Sequence, residues 1–452
     1  MLAPRAAGLG FREEIAADLL RFPNAVDFVE VVAESCYVKP AARREAKAVA
    51  EIWPVVPHGV KLSLGAAEGI DPARARALGA LAKDLRAPVI SEHVAFVRSG
   101  QREIGHLTAL PFTRTAIAVV CRNVDRARRH LPDVPLLLEN VAWTFQWPES
   151  EMAEGDFYSE IATRTGCSLL LDVGNLYANA INSGKNPITF AESFPLNRIG
   201  MIHLAGGILE HAFYFDDHAH AVADDVFALL QSVLAKTGPV PILIERDALF
   251  PPFCELRSEV DRCRELLAEA PVIRHTPPIA PDASAYVSVP EIAALERAQN
   301  HVAKLLVDLD LPDDQRFDRH AIERSRAILH RKRVDEALPL LSYLAPFRAH
   351  VEHIAHQVVA QKARPPRLAA IADALEIARR ATAIESLAIA AERDLLSLET
   401  RFHSDPITKV VRPRSAPFVR VRQMASGAKV FAFKGFGPHA RVFFHERKSA
   451  RS

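Results

Sequence analysis

Short, unbroken apolar runs recur through the first 250 residues, and stretches with apolar residues at helical spacing lie between them. The runs are GLGF (8–11), DFVEVVAE (27–34), VVPHGVKLSL (55–64), PVISEHVAF (88–96), PLLLENVA (135–142), SLLLDVGN (168–175), RIGMIHLAG (198–206) and VPILIERD (240–247). Runs of this kind, rich in β-branched residues and without polar alternation, are what parallel strands buried on both faces require. Intervening segments such as DPARARALGALAKDL (71–85) and TRTAIAVVCRNVDRARRHL (113–131) carry the spacing of amphipathic helices. Eight strands alternating with helices over this length predict an α/β fold, a TIM-type (β/α)8 barrel. A doubly wound sheet is the alternative, disfavoured because no Gly-rich phosphate loop follows an early strand.

The pattern changes after the eighth run. Residues 271–288 are rich in proline and small residues and read as a linker. From 289 to 402 the apolar stripes predict a small antiparallel helical bundle. Residues 403–452 read as a few strands around Gly435 and Gly437. The expected organisation is therefore a barrel domain (1–270), a linker (271–288), a helical bundle (289–402) and a basic, β-rich C-terminal segment (403–452).

Composition adds limits. The 452 residues carry a formal net charge of +1, which favours neither nucleic acid nor membrane as a partner for the whole chain. The charge is uneven, however. In the last fifty residues Arg412, Arg414, Arg420, Arg422, Lys429, Lys434, Arg441 and Arg447 stand among the bases against only Asp405 and Glu446, a solvated surface or a dock for an acidic partner. The five cysteines lie far apart with no CxxC pair, so neither a disulfide framework nor a thiolate zinc site is expected. No signal-type or membrane-spanning apolar run is present, and a cytoplasmic location is expected.

The chemistry concentrates at the strand ends, where a parallel barrel places its reactive groups. The second run offers Glu30 and Glu34, the third His58, the fourth Ser91-Glu92-His93, the fifth Glu139-Asn140, and the sixth Asp172 and then Asn175. The seventh ends in His203, the following loop adds Asp216, Asp217, His218 and His220, and the eighth ends in Glu245-Arg246-Asp247. Any one of these carboxylates has the ordinary explanation of a helix cap or an arginine partner. Together they would converge at the barrel mouth, where so many acids repel one another unless cations lie between them. Mixed histidine and carboxylate ligation suits iron, manganese or zinc.

FVEVVAESCYV, the HG at 58–59, SEHVAF, LTALPFT, LLLENV, LLLDVGNLYANA, IHLAGG, DDHAHAV and LIERD occur here in order. In that order and spacing, from Gly8 to about Leu267, the chain resembles the multinuclear non-heme iron-dependent oxidative enzymes, the family of the methanobactin-biosynthesis iron enzyme. The resemblance implies that His58, His93, Glu139 and Glu245 surround one iron, and that Glu139 and Glu245 bridge to a second completed by Asp172 and His203. It implies a loosely held third position at Asn175, Asp216 and His218, hence two or three irons per chain. It further implies an O2-dependent enzyme that oxidises a ribosomally made peptide, commonly at cysteine. The peptide's leader would be presented by a partner protein, or here by a fused C-terminal equivalent. Two departures touch the mouth: where the family often has a histidine after the seventh-strand histidine, this chain has Ala205-Gly206-Gly207, and where it often has an asparagine shortly before the later one, DVGN places Gly174 before Asn175. No catalytic residue beyond the metal set is assigned. The competing readings are a divalent-metal barrel hydrolase or isomerase acting on phosphate esters or sugars, and a non-enzymatic metal-binding adaptor.

Overall fold

The computed structural model describes residues 2–38, 40–100, 102–273, 288–309, 314–361, 368–405, 410–437 and 441–447. In chain order its first twelve strands are β1 (Ala7–Gly10), β2 (Phe28–Val32), β3 (Val55–Gly59), β4 (Ile90–His93), β5 (Phe96–Ser99), β6 (Arg102–Thr108), β7 (Leu136–Glu139), β8 (Ser168–Asp172), β9 (Ile199–Ala205), β10 (Gly207–Glu210), β11 (Phe213–Asp216) and β12 (Ile242–Glu245). Eight of them close into a barrel in the order β1–β12–β9–β8–β7–β4–β3–β2, every neighbouring pair parallel. The helices of this part are α1 (Ala16–Arg21), α2 (Ala33–Val38), α3 (Pro40–Val49), α4 (Pro72–Asp84), α5 (Arg114–Arg128), α6 (Glu154–Thr165), α7 (Val173–Asn182), α8 (Pro187–Glu192), α9 (Asp224–Thr237) and α10 (Phe253–Glu269). The expected TIM-type barrel is therefore the observed one, and each of the eight apolar runs contains or overlaps one of its strands. Two pairs of strands lie outside the barrel wall, β5 with β6 and β10 with β11.

The two-residue period of a strand explains why apolar runs end in ligand-type residues. Phe28, Val56, Val89, Leu137, Leu170, Met201 and Leu243 form one buried cluster that plugs the barrel interior. Two residues further along the same strands, and so on the same inward face, come Glu30, His58, Ser91, Glu139, Asp172, His203 and Glu245; His93 follows Ser91 by one more step. The alternate positions, among them Val29, Leu138, Leu169, Leu171, Ile202 and Ile244, are also buried. Those runs are thus apolar throughout because both faces are covered, and polar only where the interior opens at the mouth.

Local signals set the helix starts. Pro72 follows the cap Asp71, whose carboxylate accepts from Ala73 N; Thr113 caps α5 by accepting from Ala116 N. Gly166, at φ 68°, supplies the left-handed residue that ends α6. Asp172 ends β8 and also caps α7, accepting from Asn175 N at 2.7 Å.

The chain divides into two compact units, Met1–Val97 with Leu107–Gln299, and Arg98–His106 with Asn300–Ser452. The expected linker, 271–288, lies for 274–287 outside the described residues. Helix α11 (Val289–Val307) begins in the first unit, where the buried Gln299 carboxamide accepts from Ala67 N and donates to Gly65 O, both at 2.8 Å. The second unit continues with α12 (Arg319–Ala337), α13 (Arg348–Ala360), α14 (Ala369–Ala381) and α15 (Ala388–Arg401) around its own apolar core, which includes Val334, Leu341, Val358, Ile377 and Leu395. Buried Arg333 meets Asp373 through two hydrogen bonds of 3.0 and 2.8 Å. The short pair β13 (Phe402–Ser404) and β14 (Val411–Pro413) follows, then an antiparallel sheet of β15 (Phe418–Gln423), β16 (Lys429–Lys434) and β17 (Val442–Arg447). One sheet face packs Val430 and Ala432 on Leu396 of α15, and the opposite face leaves Val419, Val421, Phe433 and Phe443 exposed. Among the described residues no helix is long and apolar enough to cross a membrane.

Candidate metal centre

Six of the nine sequence-expected ligands converge inside the mouth. Ligand atoms of His58, His93 and Glu139 lie within 4.8 Å of one another, as do those of Glu139, Asp172, His203 and Glu245; a third such group is Glu30, His58 and Glu245. Glu139 joins the first two sets. Its Oε2 stands 3.6 Å from His58 Nε2 and 3.4 Å from His93 Nε2, while its Oε1 stands 3.3 Å from His203 Nδ1. Glu245 Oε1 is 3.4 Å from the same His203 nitrogen. Donor atoms spaced in this way fit neighbouring positions around an ion about 2.1 Å from each.

Hydrogen bonds behind the ligands fix which ring nitrogens face inward. The Nδ1 of His93 lies 3.2 Å from Gly59 O, and a carbonyl can only accept, so Nδ1 donates and Nε2 presents its lone pair to Glu139. His203 Nε2 is 3.0 Å from Glu30 Oε2, which leaves Nδ1 facing Glu139 and Glu245. His58 Nδ1 meets Ser91 Oγ at 2.9 Å. Asn140 clasps the β7 and β8 ends: its Nδ2 donates to Asp172 O at 3.0 Å and its Oδ1 accepts from Asp172 N at 2.9 Å. Glu92 belongs to none of these donor sets and accepts from Leu62 N and His93 N, and Glu34 accepts from Val60 N and Lys61 N.

The electrostatics are those of a site built around cations. Burial, reinforced by Glu245 and Asp172, pushes the Glu139 carboxyl up to about 8; burial likewise raises Glu30 and Asp172 to about 7. Burial lowers His93 to about 4 and, with the neighbouring His93, holds His58 well below its ordinary value. Burial opposes a charge on His203, but Glu30, Glu245 and Glu139 together hold that imidazole well above its usual range. Five buried atoms at the mouth have no hydrogen-bond partner: Glu30 Oε1, Glu139 Oε2, Asp172 Oδ2, His203 Nδ1 and Asp216 Oδ1. Orphaned lone pairs are costly, and five in one small volume fit ligation by metal ions, which would satisfy oxygen and nitrogen donors alike.

The other three expected ligands are placed differently. Asn175 lies in the first turn of α7, and its Nδ2 donates to Asn140 O at 3.1 Å. Asp216 Oδ2 is 2.7 Å from His218 Nε2, and His218 Nδ1 is 3.2 Å from Glu245 Oε2. Neither Asp216 nor His218 belongs to a set of three or more mutually close histidine and carboxylate donors among the described residues. His218 holds φ 54°, a left-handed conformation costly for a non-glycine residue, with its N–H on Gly206 O and its C=O on Asp247 N. Asp217 and His220 pair with each other at 2.9 Å, apart from the six. Glu30 stood at the second run's end but was not carried into the ligand set; its two-residue step from Phe28, matching Leu137 to Glu139, was the signal.

Residues 6–268 match the family model described as RiPP precursor modification enzyme MbnB/TglH/ChrH. A UPF0276 protein of Streptomyces avermitilis is 39% identical over 276 residues, which are 60% of this chain and 56% of that protein. This chain thus spans little more than half of that relative. A UPF0276 protein of Chromobacterium violaceum is 34% identical over 59% of this chain and 96% of its own length. Among solved structures, endonuclease IV from Thermus thermophilus is similar at 18% identity and a TM-score of 0.41, over 59% of this chain and 100% of that one.

Proposed function

The chain belongs to the RiPP precursor modification enzyme family MbnB/TglH/ChrH, and on that premise we propose that it is an O2-dependent, multinuclear iron enzyme oxidising a ribosomally made peptide at cysteine. The observation that carries the metal part of this reading is Glu139, whose buried Oε2 faces His58 and His93 while its Oε1 faces His203. In this reading His58, His93, Glu139 and Glu245 would hold one ion, and Asp172 and His203 would hold a second with the same glutamates. Asn175, Asp216 and His218 would provide a third, looser position. Iron bound there supplies the one-electron and oxygen chemistry that side chains lack.

The protein's own residues bind and orient. Glu139 and Glu245 would offset the charge of the bound cations, and Glu30 and Gly59 orient the rings of His203 and His93. Asp172 is anchored from both sides, by Asn140 and by the first turn of α7, so the β8 ligand does not swing. Three neutral histidines among the donors leave a net positive site that attracts a thiolate.

The second unit is proposed to receive the peptide leader in place of a separate partner protein. Support comes from the exposed apolar sheet face at Val419, Val421, Phe433 and Phe443, beside Lys429, Arg441 and Arg447, a surface suited to an acidic segment with apolar residues. A fused dock raises the peptide's effective concentration at the mouth.

The test is direct. Anaerobically iron-loaded protein is mixed with a cysteine-containing precursor peptide and oxygen is admitted. A mass change confined to the cysteine, absent with Glu139→Gln, supports the reading; an unchanged peptide beside a phosphatase or sugar-isomerase activity contradicts it.

A further inference from the structure

An extended peptide brought to the barrel mouth must exchange water on its backbone N–H and C=O groups for protein partners. The hairpin β10–β11 carries a pair of such partners. Its strands are joined by His211 and Ala212, both at positive φ (49° and 61°), which makes the connection a two-residue turn of the primed kind. Across such a turn Glu210 and Phe213 bond to each other, so the next pair, Leu209 and Tyr214, points its backbone groups outward on opposite edges. On the β11 edge these groups are taken: Asn182 Nδ2 donates to Tyr214 O at 2.9 Å, and Asn182 Oδ1 accepts from Tyr214 N at 2.7 Å. On the β10 edge Leu209 is 62% exposed, and among the described residues no hydrogen bond is recorded to its outward N–H and C=O.

Two further facts point to an occupant. Free edges are ordinarily protected by brevity, charge, proline or a bulge; β10, Gly-Ile-Leu-Glu, is four residues long with its one charge, Glu210, beside the turn, and has no lysine, proline or bulge. The edge also starts at the candidate centre, because Gly207 at its foot pairs with Asp216, whose partner His218 reaches Glu245 at 3.2 Å. Leu209 is about 7 Å of strand from that foot.

We propose that the outer edge of β10 binds the precursor peptide as an added strand, with Leu209 N–H and C=O bonding a single peptide residue. The proposal rests on the peptide-modifying reading and deepens it. Recognition at the mouth runs through the peptide backbone and tolerates many sequences, and the residue to be modified lies within about three positions of the one bonded to Leu209. The carboxamide of Asn182 occupies one edge as a fixed peptide-like group, which pins the hairpin and leaves the opposite edge for the substrate.

The probe is a synthetic heptapeptide of alternating threonine and valine with a central cysteine, added at millimolar concentration to the full chain labelled with 15N-leucine. Leu209→Ala identifies the resonance and retains the amide donor. The expected result is a shift of the Leu209 amide signal and about tenfold slower hydrogen exchange there. Peptide affinity should fall about tenfold in Leu209→Pro, which lacks the donor, and be kept in Leu209→Ala. A heptapeptide methylated at alternate backbone nitrogens should bind the unmodified chain as weakly as the plain heptapeptide binds Leu209→Pro. A silent Leu209 signal overturns the proposal. So does a signal already protected without peptide and released on dilution, which assigns the edge to a second copy of the chain. Equal oxidation of the peptide by wild type and Leu209→Pro also overturns the dock while leaving the peptide-modifying reading intact. Protection of Leu209 without any oxidation by iron-loaded protein keeps the dock and removes that reading.

Discussion

Glu30, Glu139 and Asp172 share a property that makes the metal-free protein pH-sensitive. Burial raises their carboxyls to about 7, 8 and 7, so the folded chain holds protons that the unfolded chain has released. The stability this contributes is complete below the unfolded values of 3.8 for Asp172 and 4.5 for the glutamates and is lost as the pH rises through 7 to 8. His203 and His218, also raised, act in the same direction. Lowered His58 and His93 act in the opposite direction, but only below pH 6.5. Between about pH 6.5 and 8 the unfolding temperature of metal-free protein should therefore fall, and Glu139→Gln should flatten the fall; metal-loaded protein should not show it, since cations keep the carboxylates ionised. Thermal scans across that range check this, and a metal-free protein gaining stability with pH would contradict it. Glu30 makes a second prediction. Glu30→Gln keeps the volume but weakens the acceptor behind His203, so metal affinity should drop about 10- to 100-fold with the fold intact. Competition with a coloured chelator measures it, and unchanged affinity would assign Glu30 no orienting role. At this scale His58, His93, Glu139, Asp172, His203 and Glu245 were legible because each ends an apolar run. Glu30 was passed over although its step from Phe28 is that of the other ligands; its contact with His203, far along the chain, shows only in the fold.

A strand delivers its side chains in register only if its neighbour does. The β7 and β8 ends are joined by the two hydrogen bonds between the Asn140 side chain and the Asp172 backbone, which hold Glu139 and Asp172 at a constant separation. Asn140→Ala should cost roughly 1–3 kcal/mol, the usual penalty for stranding buried backbone groups, and should loosen the site shared by Glu139 and Asp172 more than the one at His58 and His93. Calorimetric titration would show one binding phase weakened; two phases weakened equally would count against a local clasp. The eight barrel strands were readable from the apolar runs, and α4 and α5 from helical spacing and the caps Asp71 and Thr113. The β10–β11 hairpin was not: its turn is His211–Ala212, without the glycine or asparagine that marks primed turns. The left-handed His218 was equally hidden, since its φ is imposed by the hydrogen bonds to Gly206 and Asp247.

Two compact units with separate apolar cores should respond separately to metal. All six converging ligands belong to the first unit, so iron should raise one calorimetric transition and leave the other, carried by α12 to α15 and the β15–β17 sheet, within about 1–2 °C. A single transition moving as a whole would show that the units unfold together. The change of pattern after the barrel was visible in the sequence, but the location of the division was not. Composition marks a proline-rich stretch, whereas α11 continues from the first unit into the second through Gln299 and Asn300. The family model likewise covers 6–268 and leaves the second unit to its own surface for interpretation.

The proposed function requires a buried centre of more than one iron, held by histidines and bridging glutamates. Metal analysis with Mössbauer spectroscopy, on protein purified anaerobically from iron-supplemented cells, tests it most directly. At least two irons per chain should be found, with magnetically coupled signals that His93→Ala and Glu245→Ala remove. Stoichiometric zinc or manganese with negligible iron after iron loading, or a single uncoupled iron unaffected by those substitutions, would contradict it.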